Sequence, residues 1–418
     1  MALQEDRIRN GIAVIGAGTS GYLTVLFLCK NYPNTQIRWI YPKINNPIGV
    51  GEATVPEVTT FLNDLGISTK TIINELNGSL KLGIKFVDFY QKGESFNHPF
   101  GADAFESFNI NYMMDTNTVP DNILEYKEIA THFDVRELMA YLDKLLPTFK
   151  NLTIVRDTVD DCAELSEDTV VDCTGFKRSL LNKYIPDNFT SITYKIPNNG
   201  AFVYRAPYKS SEQKVPYTTC KAMDYGWCWH ISLGDKMSVG YVHDNKYDVK
   251  EEYIKHLESL FGEVDVDQIN YVPMITGRNK QHIYEGTRQT IIAVGLSSFF
   301  IEPLESTGLY LVQYGIKCLD KYLKEKIDAQ YYSEEYNNEF DVILDFIIAH
   351  YKFSARDNEY WNQYKTIDIK LYRENNIFPI LSWDYILRGF KMSNYKPMMD
   401  RSFFAVRQGK KYNEKDFT

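Results

Sequence analysis

The sequence lacks several features that would assign a protein class directly. Its six cysteines include no Cys-x-x-Cys pair, so we predict reduced thiols and neither a structural zinc site nor a disulfide framework. The 46 basic residues are outnumbered by 55 acidic ones, which argues against a nucleic-acid surface. The first apolar run, GIAVIG, is too short to cross a membrane, and the opening MALQEDRIRN has no signal-peptide layout. We therefore expect a cytoplasmic protein without metal, nucleic-acid or membrane partners.

Internal repeats, low-complexity tracts and flexible linkers are also absent from the 418 residues. A chain of this length accommodates one large α/β domain with insertions, or two domains. We expect a core over residues 1–325, with interleaved insertions around 60–130 and 183–215, and a mainly helical region over 326–418. Because no linker separates these regions, they are predicted to interlock.

The first positive signal is GIAVIGAGTSGYLTVLFLCK, which has the order strand, glycine turn, helix. Gly16, Gly18 and Gly21 form Gly-x-Gly-x-x-Gly directly after an apolar strand. In a dinucleotide site these glycines permit the tight turn, the approach of a pyrophosphate and the packing of helix on strand. The alternative is a glycine turn that binds nothing, but the strand-before, helix-after context favours the dinucleotide site. The next strand, TQIRWIYP, ends at Tyr41, where an acid for the ribose would be expected.

Two later segments repeat this arrangement of a strand that ends in a glycine turn. They are EDTVVDCTGF (167–176) and RQTIIAVGLSS (288–298). With the first strand they predict a Rossmann-like sheet that gathers a long cofactor along its carboxyl ends. Residues 200–245 alternate apolar and polar side chains, which predicts an antiparallel sheet, and helices dominate after about residue 310. The expected fold class is therefore α/β, with an antiparallel sheet and a reduced helical subdomain.

A lysine and two tryptophans are candidates whose role the sequence leaves open. LKLGIKFVDFY alternates apolar residues with Lys81, Gly83 and Lys85, which predicts one strand with one buried face. A lysine on such a strand is usually solvated, although a partly desolvated amine is a reactive nucleophile. Trp227 and Trp229 in GWCWHIS point to one face of a strand. Core packing is the commoner reason for such a pair, and a rigid aromatic wall is the functional alternative.

The stretch FFIEPLESTGLYLVQYG (299–315) places an acid and small residues at the start of a patterned helix. If the helix begins near Thr307, its free N–H groups and dipole form an anion site. The alternative is that Ser306 or Thr307 simply caps the helix. Burying the Glu305 carboxylate costs on the order of several kcal/mol unless it is paired, so Glu305 is a candidate general base. NNPIGVGEATVPEV (45–58) likewise suits a flat ring at a strand–helix junction, or an ordinary capped loop.

Together these motifs resemble those of the flavin-dependent tryptophan halogenases. The most specific matches are GVGEATVP (49–56) and GLSSFFIEPLESTG (295–308). The other matches, in chain order, are GAGTSG (16–21), GIKF (83–86), HPFG (98–101), HFD (132–134), DCTGF (172–176), GWCWHI (226–231), GYV (240–242) and GR (277–278). Because the enzymes that act on free tryptophan are longer toward the C-terminus, the chain most resembles the compact, phage-encoded halogenases. For a phage protein the host cytoplasm is the expected location.

The resemblance implies FAD, used in its reduced form, and a halide ion as cofactors. It places the FAD pyrophosphate at the glycine motif and the ribityl chain and ring at two further segments. The cofactor-binding residues that it implies are Gly16, Ala17, Gly18, Thr19, Ser20, Gly21, Ile48, Val50, Glu52, Ala53, Leu296 and Leu309. The halide would lie at the amides of Thr307 and Gly308, supported by Ser306.

The resemblance also implies a reaction. Reduced FAD, O2 and halide give hypohalous acid, which passes to Lys85 and is held there by a hydrogen bond or as a haloamine. Glu305 faces this lysine at the substrate end of an internal tunnel and stabilises the cationic intermediate or removes its proton. The substrate is an electron-rich phenol, indole or aniline. Trp227 and Trp229 keep it off the flavin, and a separate flavin reductase supplies reduced FAD.

The chain departs from the family pattern on the adenine side and in one loop, and two rival functions are separate alternatives. Ser232 replaces the proline that ends the tryptophan motif, and Tyr22 and Tyr41 replace a tryptophan and an acid on the adenine side. A flavin-dependent aromatic hydroxylase shares the fold, but it usually carries Gly-Asp where this chain has Gly295-Leu296. The second rival is a non-catalytic FAD-binding protein. The preferred halide, the native substrate, its regiochemistry and any homo-oligomer are not predicted.

Overall fold

The computed structural model describes residues 7–43, 51–120, 122–126 and 128–392. Two predicted flavin residues, Ile48 and Val50, lie outside these described residues. The strands, in chain order, are β1 (Ile12–Ile15), β2 (Ile37–Tyr41), β3 (Gly51–Ala53), β4 (Ser79–Lys81), β5 (Gly83–Val87), β6 (Ser95–Pro99), β7 (Ala130–Asp134), β8 (Leu152–Arg156), β9 (Thr169–Asp172), β10 (Phe189–Ser191), β11 (Gly200–Pro207), β12 (Thr218–Met223), β13 (Gly226–Ser232), β14 (Lys236–His243), β15 (Asn270–Pro273), β16 (Gly277–Asn279), β17 (Ile283–Glu285), β18 (Thr290–Ala293) and β19 (Phe299–Phe300).

The helices alternate with these strands in the first part of the chain and dominate its end. They are α1 (Thr19–Asn31), α2 (Pro56–Asp64), α3 (Thr69–Glu75), α4 (Ala104–Thr116), α5 (Val135–Leu145), α6 (Leu181–Tyr184), α7 (Lys250–Phe261), α8 (Gly308–Leu323), α9 (Ala329–Lys352), α10 (Glu359–Asn362) and α11 (Ile380–Gly389). From Ala329 to Gly389, every regular element that the structure describes is a helix. None of the described helices is both long and apolar enough to span a bilayer.

The first sheet confirms the predicted Rossmann-like core. Its six strands lie in the order β17-β18-β9-β1-β2-β8, and β1 pairs in parallel with both β2 and β9. The predicted strands of the segments 167–176 and 288–298 are β9 and β18, which also pair in parallel. Parallel neighbours carry their carboxyl ends at one edge, so the glycine turns after β1, β9 and β18 lie together there. The apolar run Ile12–Ile15 is buried on both faces: Ile12 and Val14 pack in one core with α1, and Ala13 and Ile15 pack in a second core with Leu180 and Leu181.

The second sheet has seven strands in the order β15-β11-β14-β13-β12-β5-β6. The predicted antiparallel region is confirmed as β11 to β14, and β5 adds to β12 in parallel. Residues directly opposite in a ladder share a face, so the register assigns each side chain to one of two faces. The first, called here the glutamate face, carries Ile84, Phe86, His98, Cys220, Trp227 and Trp229. The opposite face carries Lys85, Asn97, Thr219 and His230.

A small third sheet connects the two large ones. Its order is β3-β7-β4, and both pairings are antiparallel. β4 ends at Lys81 and β5 begins at Gly83, so the chain leaves the small sheet and enters the seven-stranded sheet at Leu82. The backbone at Leu82 makes this change with hydrogen bonds to Pro216 and Phe100. Lys81 and Lys85 therefore belong to different sheets.

The turn after β1 permits a stability prediction. A Cβ at Gly21 would lie 2.2 Å from the carbonyl oxygen of Gly16, whereas a Cβ at Gly18 would meet nothing within 4 Å. Gly21→Ala should therefore reduce the free energy of unfolding by about 1–3 kcal/mol, because backbone atoms must move apart. Gly18→Ala is the matched control and should unfold like the wild type in urea. Equal stability of the two variants would contradict the close helix–strand contact.

Candidate active site

The loop between β19 and α8 crosses the glutamate face and carries two buried acids. Glu302 and Glu305 are 0% and 1% exposed. Ser306 follows with a φ of +60°, in the left-handed region, and its amide donates to the carbonyl of Pro303 at 3.0 Å. This turn stops the loop and starts α8 at Gly308.

Lys81, not Lys85, is the lysine beside this loop. Lys81 is 0% exposed, and its Nζ donates to Ser306 Oγ at 2.8 Å and to the carbonyl of Thr54 at 2.6 Å. Burial lowers the pKa of Lys81 to about 7, although the nearby Glu305 carboxylate acts in the opposite direction. A neutral amine is therefore accessible near physiological pH, which an ordinary lysine does not offer.

The prediction that Lys85 faces Glu305 is wrong. Lys85 pairs with Thr219 and Asn97 on the opposite face of the seven-stranded sheet, where its Nζ lies 5.9 Å from the ring centre of Tyr217. The sequence pattern treated 81–87 as one strand, but the chain changes sheets at Leu82. A strand alternation carries no information about such a change.

Glu305 lies between two imidazoles. His98 Nδ1 is 3.0 Å from Oε2 and 3.2 Å from Oε1, and His350 Nε2 is 2.8 Å from Oε1. The His350 contact is close, but it is not aligned as a straight hydrogen bond. Burial raises the pKa of Glu305, yet the two imidazoles outweigh it and lower the pKa to about 2. The carboxylate is therefore ionised at neutral pH despite its burial.

Glu302 is a second buried acid that the sequence reasoning missed. It accepts hydrogen bonds from Trp227 Nε1 at 3.3 Å, from Asn198 Nδ2 at 2.6 Å and from the hydroxyl of Tyr351. Burial nevertheless raises the pKa of Glu302 to about 7. The signal that could have found it is the spacing in FIEPLE, since the apolar environment invoked for Glu305 also applies three residues earlier.

The tryptophan pair lies on the same sheet face as the glutamates. The ring centroids of Trp227 and Trp229 are 6.1 Å apart, and both indoles are buried. Trp229 lies over Gly240, where a Cβ would come within 2.1 Å of the indole. Glu302 fixes the nitrogen of Trp227, whereas the Trp229 Nε1 finds no partner among the described residues.

The dinucleotide side is assembled by the turns at the carboxyl edge of the first sheet. The Gly16–Gly21 turn precedes α1, whose first residues have no capping side chain. Gly16 has a φ of +110° and approaches the carbonyl of Cys173, while Gly295 approaches Ser20. The predicted cofactor residues that the structure describes lie on these turns and on three neighbouring elements. Around the N-terminus of α1 are Ala17, Gly18, Thr19, Ser20 and Gly21. The others are Glu52 and Ala53 on β3, Leu296 after β18 and Leu309 on α8.

These residues fit FAD chemically. The free amides at the start of α1 suit a pyrophosphate, and Gly18 leaves open space there. Ser238 Oγ and the Nε and Nη2 of Arg205 are among the buried polar atoms without a hydrogen-bond partner in the described residues; Ser238 lies beside Gly51 and Arg205 near Glu52, both on β3. Tyr41 stands where an acid was expected, with the Arg156 guanidinium 4.0 Å above its ring.

The start of α8 fits a small anion. Its first amides have no helical partner, and a Cβ at Gly308 would meet nothing within 4 Å among the described residues. Thr307 is 0% exposed, and its hydroxyl is without a partner in the part of the chain that the structure describes. Both predicted halide residues therefore lie together, one turn away from Glu305.

The comparisons with known proteins agree with this geometry. The family model described as tryptophan halogenase matches residues 11–134 and 150–400. The chain belongs to the tryptophan halogenase family. It is therefore an enzyme of the oxidoreductase type that uses reduced FAD and halide. Flavin-dependent halogenases generally need a separate flavin reductase and an aromatic substrate.

Individual relatives support the assignment over most of the chain. Tryptophan 6-halogenase ThaL of Streptomyces albogriseolus is 27% identical over 87% of this chain and 80% of its own length. Tryptophan 7-halogenase RebH of Lentzea aerocolonigenes is 26% identical over 85% and 79%. Among solved structures, the tryptophan 6-halogenase SttH of Streptomyces toxytricini aligns with a TM-score of 0.81 at 23% identity, covering 95% of this chain and 96% of that one. A flavin-dependent halogenase from Xanthomonas campestris aligns with a TM-score of 0.80 at 20% identity, covering 93% and 89%. These structures share the fold.

The environment of Lys81 gives a prediction that requires neither cofactor nor substrate. In protein labelled with carbon-13 at the lysine ε-carbons, the Lys81 signal should titrate with a midpoint near pH 7, because burial destabilises the ammonium form. Lys81→Met identifies the signal by its loss. A Lys81 signal that titrates at about 10 or above, as in a solvated lysine, would contradict the neutral amine.

Proposed function

We propose that this halogenase transfers halogen to an electron-rich indole, phenol or aniline, with Lys81 as the residue that carries the halogen. The observation that carries the proposal is the meeting of Lys81 with the Glu305–Ser306 turn in a buried site on the glutamate face. Lys85 does not suit this role, because it lies on the opposite face of the sheet.

Lys81 has the properties that a halogen carrier needs. Its nitrogen is fixed by two hydrogen bonds, to Thr54 and Ser306, and its pKa of about 7 leaves a large neutral fraction at physiological pH. A neutral amine has a lone pair that can take halogen from hypohalous acid, and the ammonium form can still donate a hydrogen bond to it. The Lys81 nitrogen could therefore hold the halogen either covalently, as a haloamine, or through a hydrogen bond to hypohalous acid.

The Glu305–Gly308 turn supports a separation of the oxidant-forming site from the substrate site. Thr307 and Gly308 would hold the halide at the start of α8, beside the flavin that the dinucleotide turns would bind. Glu305 points the other way, to His98 and His350. FAD, when bound there, would supply the oxidation of halide by O2, and the buried residues around Lys81 would then hold the hypohalous acid away from water.

Trp227 and Trp229 would form the wall between the two sites. Both lie on the glutamate face, and Glu302 holds the Trp227 indole by its nitrogen. Fixed indoles would exclude an organic substrate from the flavin while a small neutral oxidant passes. This exclusion favours halogenation over direct hydroxylation of the substrate.

Aromatic rings pack around His98. Phe346 and Phe378 stack with centroids 3.9 Å apart, both lie within 6.5 Å of the His98 ring, and both are buried. Such an aromatic environment would be compatible with a flat aromatic substrate nearby. The names of the relatives, which are tryptophan halogenases, favour an indole among the three substrate classes.

A product assay tests the function directly. With reduced FAD, O2 and bromide, the wild-type protein should convert indole or an activated phenol to a brominated product detected by mass. Lys81→Met should abolish this product, with at least about a 100-fold loss, while FAD binding and the consumption of reduced FAD continue.

Lys85→Met is the matched control and should retain bromination. A hydroxylated product from the wild type would support the hydroxylase instead, and no product despite bound FAD would support the non-catalytic protein. Full activity of Lys81→Met would refute the assignment of the carrier.

Glu305→Gln tests the acid separately. The amide keeps the shape but loses the negative charge that stabilises the cationic intermediate, so bromination should slow by about 100-fold. Consumption of reduced FAD should stay at the wild-type rate, because the flavin and halide residues are unchanged. An unaltered bromination rate would remove Glu305 from the reaction.

A further inference from the structure

The C-terminal end of α9 contacts both buried acids through consecutive residues. His350 approaches Glu305, and the hydroxyl of Tyr351 donates to Glu302. Both α9 residues are 0% exposed. The helix therefore contributes directly to a site whose other parts come from the sheets and the β19–α8 loop.

The hydrogen-bond partner of His350 Nδ1 fixes the position of one ring proton. Nδ1 lies 2.9 Å from the carbonyl oxygen of Phe346, one turn earlier in α9. A carbonyl oxygen only accepts hydrogen bonds, so Nδ1 must carry a hydrogen. In a neutral imidazole Nε2 would then be bare, with its negative partial charge 2.8 Å from a Glu305 oxygen. That arrangement is repulsive, and a second proton on the ring removes the repulsion.

The surrounding groups do not supply this proton themselves. His98 approaches Glu305 through Nδ1, and Lys81 is already held by Thr54 and Ser306. Cys220, the other titratable group facing this site from the sheet, is kept as a thiol because burial raises its pKa well above the ordinary value. Glu302, with its own three donors, belongs to the neighbouring network.

We propose that His350 is a positioning residue that stores a proton for Glu305, and that the pair acts first as an acid and then as a base during halogen transfer. This proposal rests on the proposed function. In the resting state the pair is an imidazolium beside a carboxylate. The ionised form of Glu305 agrees with the lowered pKa of that carboxyl.

The proposed steps balance as follows. As the ring's π electrons form the carbon–halogen bond, the nitrogen–halogen bond of a Lys81 haloamine breaks and leaves its electron pair on nitrogen. That nitrogen takes the stored proton, which leaves His350 through the Glu305 carboxyl, whose charge acts on the Lys81 amine. The depleted pair, a carboxylate beside a bare Nε2, then removes the proton from the halogenated ring carbon, and the C–H electron pair returns to the ring. The His350–Glu305 pair is then again an imidazolium beside a carboxylate, as in the resting state.

His350→Gln separates proton storage from simple packing. A glutamine amide can still donate a hydrogen bond to Glu305, but it cannot hold an additional proton. Bromination of indole should fall by about 10- to 100-fold, with consumption of reduced FAD unchanged. Ring-deuterated indole should show a primary isotope effect in His350→Gln and none in the wild type, because only the variant loses the ring proton slowly.

His230→Gln is the matched control, since His230 is a histidine on the opposite face of the same sheet. It should show the wild-type rate and no isotope effect. Wild-type rate and no isotope effect in His350→Gln would overturn the proposal, whereas a wild type that brominates nothing would instead refute the proposed function.

A second readout needs no cofactor. The chain has seven histidines, few enough for their nitrogens to be resolved in protein labelled with nitrogen-15 histidine. At pH 7, both nitrogens of His350 should carry hydrogen, and Glu305→Gln should leave only one of them protonated. A bare Nε2 in the wild type at that pH would overturn the proposal even where the enzyme brominates indole.

Discussion

The structure depends on holding an amine and a carboxylate in one buried site without letting them neutralise each other as a simple ion pair. Removing two charges from water costs on the order of several kcal/mol per ion unless each is satisfied by its own partners. Here Lys81 is satisfied by a carbonyl and a hydroxyl, to which an amine can donate in its neutral form. The Glu305 carboxylate instead contacts the imidazoles of His98 and His350. Each group thus keeps its own protonation state although both are buried.

This separation explains why so many elements meet at one loop. Lys81 comes from the small sheet and His98 from the seven-stranded sheet, while His350 comes from α9. Ser306, in the left-handed region, lies in the chain between Glu305, which contacts His98 and His350, and the first residue of α8. Under the proposed function, a side-chain carboxylate and a halide would therefore be held within four residues of each other.

The two acids of the loop illustrate how environment sets protonation. Glu302 and Glu305 are equally buried, yet burial raises the pKa of Glu302 to about 7, while the imidazoles lower that of Glu305 to about 2. The donors to Glu302 are neutral, and the partners of Glu305 can carry positive charge. Glu302 consequently suits a structural role, in which it connects Trp227 to α9, and Glu305 suits a role that needs a stable negative charge.

The sequence alone determined the elements whose signals are local: the glycine turn after β1, the strands β9 and β18, the antiparallel alternation of β11 to β14, and the start of α8. It also indicated that Glu305 and Thr307 belong to one turn, because they are two residues apart. Only the tertiary structure decided which lysine meets Glu305. Lys81 and Lys85 share one apparent strand pattern, but the chain changes sheets between them, and periodicity does not record a change of hydrogen-bonding partner. The same holds for His350, whose role arises from the packing of a distant helix end against the loop.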